Sequence, residues 1–233
     1  MRQSLTLKAY DLIKDEIITC TLEPGQQIAQ PQLADRYKLG LTPVREALQR
    51  LAQEGFLQTI PRFGYIVTPI SVLDVHEIFD LRALLEPEAA RQAAIHGSKE
   101  DFARIMKASE FSYTPGDRRS ISQFVARNAE FHRSIAVVAG NRRLAEAMYK
   151  VLDEQTRLFY LGLNLREMTR EVFDEHHRIA IAVSRQDPDE AAKTARDEVL
   201  RSRDRILDAL VSRQSFGGQS AVAVDLRVET RDI

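Results

Sequence analysis

The chain has 233 residues, of which 44% are hydrophobic and 29% charged, and a formal net charge of -1. Such a composition excludes a disordered or fibrous chain, and the length accommodates one large or two modest domains with real cores. No apolar run approaches the roughly 20 residues needed to cross a bilayer, and the start "MRQSLTLKAYDLIKDEI" is too charged for a signal peptide. A cytoplasmic protein with no membrane partner is expected. The single cysteine, Cys20, has no partner for an intramolecular disulfide and falls on an apolar stripe, so a buried thiol is expected there.

Ala9, Leu12, Ile13, Ile17 and Cys20 recur at helical spacing and predict a first helix, which "EPGQQI" ends in a Pro-Gly turn. A short second helix fits "PQLADRYK". After Gly40-Leu41, Thr42 is placed to cap a third helix with Pro43 at its first position, and Gly55 to end it. "FLQTI" and "YIVTPI", joined by a Pro-Arg-Phe-Gly turn, predict a two-stranded hairpin. Three helices followed by a hairpin make a winged helix-turn-helix over residues 1–69.

Beyond Pro69 the pattern is helical throughout, predicting an all-α antiparallel bundle over 70–213 and a mainly α protein. Helices are expected at about 71–96, 98–111, 118–139, 142–161, 167–186 and 188–213, with Pro87 kinking the first. Ser71 with Asp74 and Ser98 with Asp101 have capping-box spacing, and Gly97 and Gly140 are stops. The tail, residues 214–233, lacks helical periodicity and reads as disordered or as a segment for a partner.

On the third helix Ala47, Leu48 and Leu51 form the inner stripe, leaving Thr42, Val44, Arg45 and Gln49 on or beside the opposite face. A helix entering the major groove N-terminus first offers its hydroxyl and amides to phosphate, while an arginine in its early turns reaches guanine. Arg50 is expected nearer the phosphate backbone, and Arg62 with Gly64 at the hairpin tip is expected to touch the minor groove or a phosphate. Two arginines on a capped helix are, alone, more often a solvated surface. The order of the elements points to double-stranded operator DNA.

In the second domain two stripes carry polar residues where a core seam should be. Ile121, Val125, Asn128, His132, Ile135 and Ala139 form one, and Met168, Val172, His176, Ile179 and Val183 the other. On the last helix Glu198 lies with Ala191, Ala195, Ser202 and Ala209, at the core edge. Imidazoles and oxygen ligands on different helices can meet at a divalent ion, although a lone buried histidine is more often an ordinary core residue. Val75, Phe79, Arg82, Glu86 and Ala89 share a stripe, so Arg82 and Glu86 are either an internal ion pair, or Arg82 faces a cavity and pairs with an acidic effector.

"TPVREALQRLAQEGFL" with "RFGYIV" resembles the DNA-binding domain of the GntR superfamily of bacterial transcription regulators over about residues 5–69. The resemblance implies operator contacts for Thr42, Arg45 and Gly64. It departs at Gly40-Leu41, where the family usually has Ser-Arg or Thr-Arg, and at Pro31, where some members are basic. "VLDVHEIFDLRALLEPEAA", "NAEFHRSI" and "EHHRIAIAVSRQDPDEAAKTARDEVL" are similar to the ligand-binding domain of the FadR subgroup, the FCD domain, over about 72–211. That similarity implies a divalent metal (zinc, nickel or manganese) held by Asn128, His132 and His176, with Glu198 where the family has histidine. It also implies that Arg82 meets an acidic effector.

The function expected is a homodimeric, ligand-responsive regulator that binds an inverted-repeat operator and takes a small carboxylate effector in its helical domain. Two alternatives stand beside it. A metal-dependent enzyme has the ligands but no nucleophile motif, no HExxH spacing and no use for the first domain. A DNA-binding protein whose helical domain only dimerises is the other.

Overall fold

The computed structural model describes residues 4–111, 118–163 and 169–215. It divides into two compact units, the first reaching Asp74 and the second beginning at Val75. Met168, the side chain of Ile121 and the tail beyond residue 215 lie outside the described residues.

The first unit opens with α1 (Leu5–Ile18), whose N-terminus is capped by the Ser4 side chain accepting from the Leu7 amide. Then come β1 (Gln27–Ile28), α2 (Gln30–Tyr37), α3 (Leu41–Gln53), β2 (Leu57–Ile60) and β3 (Gly64–Val67). Ala9, Ile13 and Ile17 of α1 meet Val44, Ala47, Leu48 and Leu51 of α3 in one core cluster, with Leu33, Leu57 and Val67 closing it from α2 and the sheet. Gly55 ends α3 at φ +84°, a conformation that side-chain-bearing residues adopt at a cost.

Four expectations change here. The sheet has three strands in the order β1-β3-β2, because Gln27 and Ile28 pair antiparallel with Ile66 and Tyr65. Two residues are too few to show a period of two, so β1 was invisible in the pattern. Thr42 is not the cap of α3: the helix starts two residues earlier than expected, at Leu41, Gly40 holds the cap position, and no side chain caps it. Cys20 lies beyond the end of α1, half-buried and at φ +54°, so it does not continue the apolar stripe. Val44 is wholly buried, because the inner stripe of α3 runs 44, 47, 48, 51 and is wider than the three residues assigned to it.

The second unit is a helical bundle among the described residues: α4 (Val72–His96), α5 (Lys99–Ala108), α6 (Arg118–Val138), α7 (Arg142–Leu163), α8 (Thr169–Ser184) and α9 (Pro188–Ser215). Both expected capping boxes form. The Ser71 hydroxyl and amide reach Asp74 Oδ2 at 2.7 and 2.6 Å, and Ser98 and Asp101 exchange the same bonds. Short connections pair α6 with α7 and α8 with α9, and α7 also packs against α9.

Helix α4 continues through Pro87 to His96. Proline has no N–H, so the Ala83 carbonyl one turn earlier loses its helical donor. Arg196 of α9 donates to that oxygen from Nη1 at 3.1 Å, so the gap in one helix becomes a tie to another.

Gly97 separates α4 from α5, and space is what selects glycine. A Cβ there would come within 2.3 Å of Phe102 Cε1 and 2.8 Å of the Ala93 carbonyl. Gly97→Ala is expected to destabilise the helical domain by about 1–3 kcal/mol through overpacking, read as a lower urea midpoint with an unchanged slope.

Candidate functional site

The side chains of α3 divide by what they touch. Glu46 accepts the Thr6 hydroxyl at 2.6 Å, and Arg50 donates to Glu54 at 3.0 Å while lying 4.1 Å over the Tyr10 ring. Arg50, expected at the DNA backbone, is thus engaged within its own domain, as part of the α1–α3 contact. Thr42, Arg45 and Gln49 remain exposed on the outer face. At the hairpin tip Arg62 is exposed at φ +71° and Gly64 sits at φ +91°, while Phe63 between them is 68% exposed. A left-handed pair around an outward aromatic makes a narrow tip whose backbone can approach a surface closely.

The helical domain carries the second group. Arg82, Glu86, Asn128, His132, His176 and Glu198 come from α4, α6, α8 and α9, and each is at most 4% exposed. Arg82 donates to Glu86 at 2.5 Å from Nε and to Glu198 at 3.2 Å from Nη2, so the internal ion pair forms and extends to a second carboxylate. Glu86 Oε2 lies 2.8 Å from His132 Nδ1. A protonated Nδ1 donating to that carboxylate leaves Nε2 as a lone pair, the arrangement in which a carboxylate orients a metal-bound imidazole.

Ligand atoms of His132, His176 and Glu198 all lie within 4.8 Å of one another. Atoms sharing one ion at about 2.1 Å stand no more than about 4.2 Å apart, so closing on a cation needs only small side-chain rotations. His132 Nε2, both nitrogens of His176 and Asn128 Oδ1 are buried and have no hydrogen-bond partner in the protein. The His176 ring stacks on Phe131 with centroids 4.4 Å apart and crosses the His132 ring at 85°. Glu198, assigned to the core edge, is 1% exposed and inside the core.

Charge at the cluster follows from burial. His176 is held well below the usual histidine range, first by burial and then by the neighbouring His132, so it is a neutral imidazole with a lone pair to give. Burial also raises Glu198, and Arg82 offsets only part of that. Burial opposes ionisation of Glu86 as well, but Arg82 and His132 outweigh it and hold the carboxyl below its ordinary value. A small enclosed cavity adjoins the cluster, lined by Glu86, His132, Met148, Ile179 and Ala195 among others.

A family model described as "Bacterial regulatory proteins, gntR family" matches residues 5–67, and the FCD domain model matches 77–201, more than half of the chain. This chain belongs to the GntR family and carries an FCD domain. The HTH-type transcriptional repressor GlaR of Escherichia coli (strain K12) is 27% identical over 203 residues, covering 84% of this chain and 92% of that protein. The Nta operon transcriptional regulator of Aminobacter aminovorans is 24% identical, over 80% and 87%. Among solved structures, E. coli McbR/YncC shares the fold with a TM-score of 0.74 at 21% identity, over 90% of this chain and 100% of that one. A GntR regulator from Rhodococcus sp. RHA1 has a TM-score of 0.71 at 19% identity, over 89% and 99%.

The GntR-FCD chain is therefore a DNA-binding transcription regulator of mainly α fold, with an N-terminal winged helix-turn-helix and a C-terminal helical domain, and not an enzyme. No described helix is long and apolar enough to cross a membrane.

The sequence pattern pairs Glu86 with Arg82 alone; its bond to His132 joins two different helices, which periodicity does not relate. Gln155 was not singled out. It too is buried, with both amide atoms unpartnered, and its signal was a glutamine among the apolar residues Val151, Leu152, Leu158 and Phe159. Glu175 was also missed: it is buried and takes Arg205 through both oxygens, at 2.9 and 2.6 Å, and Arg201 at 2.6 Å, clamping α8 to α9.

Removing Arg82 leaves two buried carboxylates without their cation. Arg82→Met is expected to cost the metal-free protein about 3–5 kcal/mol, measured by chemical denaturation, whereas Arg91→Met at the exposed pair with Asp189 should cost under about 1 kcal/mol.

Proposed function

We propose that this regulator binds a two-fold operator as a homodimer and that a small carboxylate, held beside a divalent metal ion in the FCD domain, alters its grip on DNA. The observation that carries the reading is the pair of orphaned imidazoles, His132 and His176, gathered with Glu198 at one buried point, with the unpartnered Asn128 Oδ1 one turn from His132 on the same helix. Two imidazoles and two oxygens suit zinc, nickel or manganese, and a bound ion acts as a Lewis acid toward an entering carboxylate. Charge makes the ion a condition for the effector. Arg82 against Glu86 and Glu198 leaves the ionised cluster with one net negative charge, and a divalent cation turns that into one net positive.

A homodimer places two winged heads on an inverted repeat, and an effector that favours one arrangement of the heads shifts DNA affinity by its differential binding to the two states. Within each head, Thr42, Arg45 and Gln49 face the major groove, with Arg62 and Gly64 at the wing against the minor groove or a phosphate. Arg50 ties α3 to α1 at the surface through Glu54 and Tyr10, and any phosphate contact it makes competes with that pair.

Two measurements test this. Wild-type protein purified without chelator is expected to hold about one divalent ion per chain, and His132→Ala none, by elemental analysis. A thermal shift with acetate or butanoate should appear in the metal-loaded protein and vanish after chelation. A shift that survives chelation would separate effector from metal and sink the coupling between them.

For the DNA, sites are first selected from a random pool. Arg45→Ala should weaken binding to the selected site by about 1–3 kcal/mol and relax preference at one position per half-site. Unchanged affinity would remove Arg45 from the interface.

A further inference from the structure

The register of the bundle carries a second buried polar layer one turn beyond the metal-type cluster. From the cavity to the cluster the step is Ala90 to Glu86 and Arg82 on α4, Ile135 to His132 on α6, Ile179 to His176 on α8, and Ala195 to Glu198 on α9. Residue numbers fall along α4 and α6 and rise along α9, so α9 runs opposite to both. Helix α7 reverses α6 through a short connection and therefore runs with α9, against which it packs. Met148 of α7 and Ala195 of α9 both line the cavity. Seven residues on, two turns along the same helix faces, stand Gln155 and Ser202 at a common level, and Asn128 of α6 approaches it from one turn beyond His132.

Gln155 and Ser202 are each 1% exposed, and neither amide atom of Gln155 nor the hydroxyl of Ser202 has a hydrogen-bond partner in the protein. Burying a carboxamide and a hydroxyl unmatched is costly, a cost that a bound polar group removes. Val125 and Val172, one turn before Asn128 on α6 and His176 on α8, are apolar and buried, and the charged pair nearest along α9, Arg205 with Glu175, already satisfies itself. Gln155 offers one donor end and one acceptor end, and Ser202 can serve as either. A carboxylate, which only accepts, would leave the Gln155 carbonyl facing an anion. A hydroxyl, which donates and accepts at once, satisfies both ends.

We infer that Gln155 and Ser202 form a hydroxyl-reading subsite, so that the effector is a carboxylate bearing a hydroxyl remote from its acid group. The inference rests on the proposed effector site at the metal cluster. Four residues separate Glu198 from Ser202, an axial offset of about 6 Å. That span matches a carboxylate and a hydroxyl separated by a short chain of methylenes, as in 4-hydroxybutanoate, and exceeds what a hydroxyl adjacent to the acid can reach.

The experiment is calorimetric titration of full-length, metal-loaded protein with butanoate and with 4-hydroxybutanoate, in wild type, Gln155→Leu and Ser202→Ala. A site built to bond a hydroxyl strongly disfavours the analogue that lacks it. Wild type is expected to bind 4-hydroxybutanoate at least about tenfold more tightly than butanoate. In Gln155→Leu the ratio should fall to near one with butanoate affinity unchanged, and Ser202→Ala should lower it part of the way. Because leucine is apolar and close to glutamine in size, the first variant is expected to fold; if it does not, the ratio in Ser202→Ala decides. Equal binding of the two probes to wild type, or a preference that both variants retain, overturns the subsite while leaving the metal and carboxylate reading intact. Failure of both probes to bind metal-loaded wild type overturns that reading, and the subsite with it.

Discussion

A guanidinium with 1% exposure in the middle of a helical bundle sets terms for everything around it. Arg82 cannot be neutralised by losing its proton, so the bundle must bring it anions. Glu86, one turn along the same helix, supplies one and Glu198, from the far end of the sequence, the other. Each carboxylate then has a second side to satisfy: Glu86 takes the Nδ1 hydrogen of His132, and Glu198 is left beside His132 and His176. The alignment of four helices follows from this one buried charge, as does the imidazole lone pair that Glu86 turns away from itself.

The elements with long periods were legible in the sequence. The stripe 125, 128, 132, 135 placed Asn128 and His132 inward because 3.6-residue spacing leaves little choice, and the same argument chose His176 over His177. Short features were not legible: β1 has two residues, and the start of α3 turned on which of Gly40 and Thr42 held the cap. Nor were partnerships across helices. Periodicity says which face a residue lies on and nothing about which residue of another helix stands opposite. The bonds from Arg82 to Glu198, from Glu86 to His132 and from Glu175 to Arg205 all needed three dimensions. Glu198 was misplaced to the core edge for a related reason, since a carboxylate on an alanine-rich stripe reads as solvated until its buried cation is known.

Glutamate at position 198 changes the logic of the site as well as its ligands. A neutral imidazole there would leave Arg82 with Glu86 alone and an Nη2 donor available to an anion. With Glu198 present that donor is already taken, at 3.2 Å. The domain thus holds an internal carboxylate where an arginine of this kind would receive an external one, and Nη1 of Arg82, which has no hydrogen-bond partner in the protein, is the donor left for an entering effector. Glu198 drawn from the guanidinium toward a cation would also free Nη2, so one side chain couples the arginine to the neighbouring imidazoles.

The missing hydrogen bond at Pro87 bears on how such coupling could move. A helix bends most readily where its ladder is broken, and α4 is broken one residue after Glu86, where it contacts His132. The carbonyl left behind is held by Arg196, two residues before Glu198 on α9. The proline and the arginine thus act together as a latch. Were α9 to rotate as Glu198 changed partners, Arg196 would be drawn off the Ala83 oxygen, and water would have to take its place. Amide hydrogen exchange in the turn from Ala83 to Pro87 would then report occupancy of the cluster through the backbone that presents Glu86 to His132.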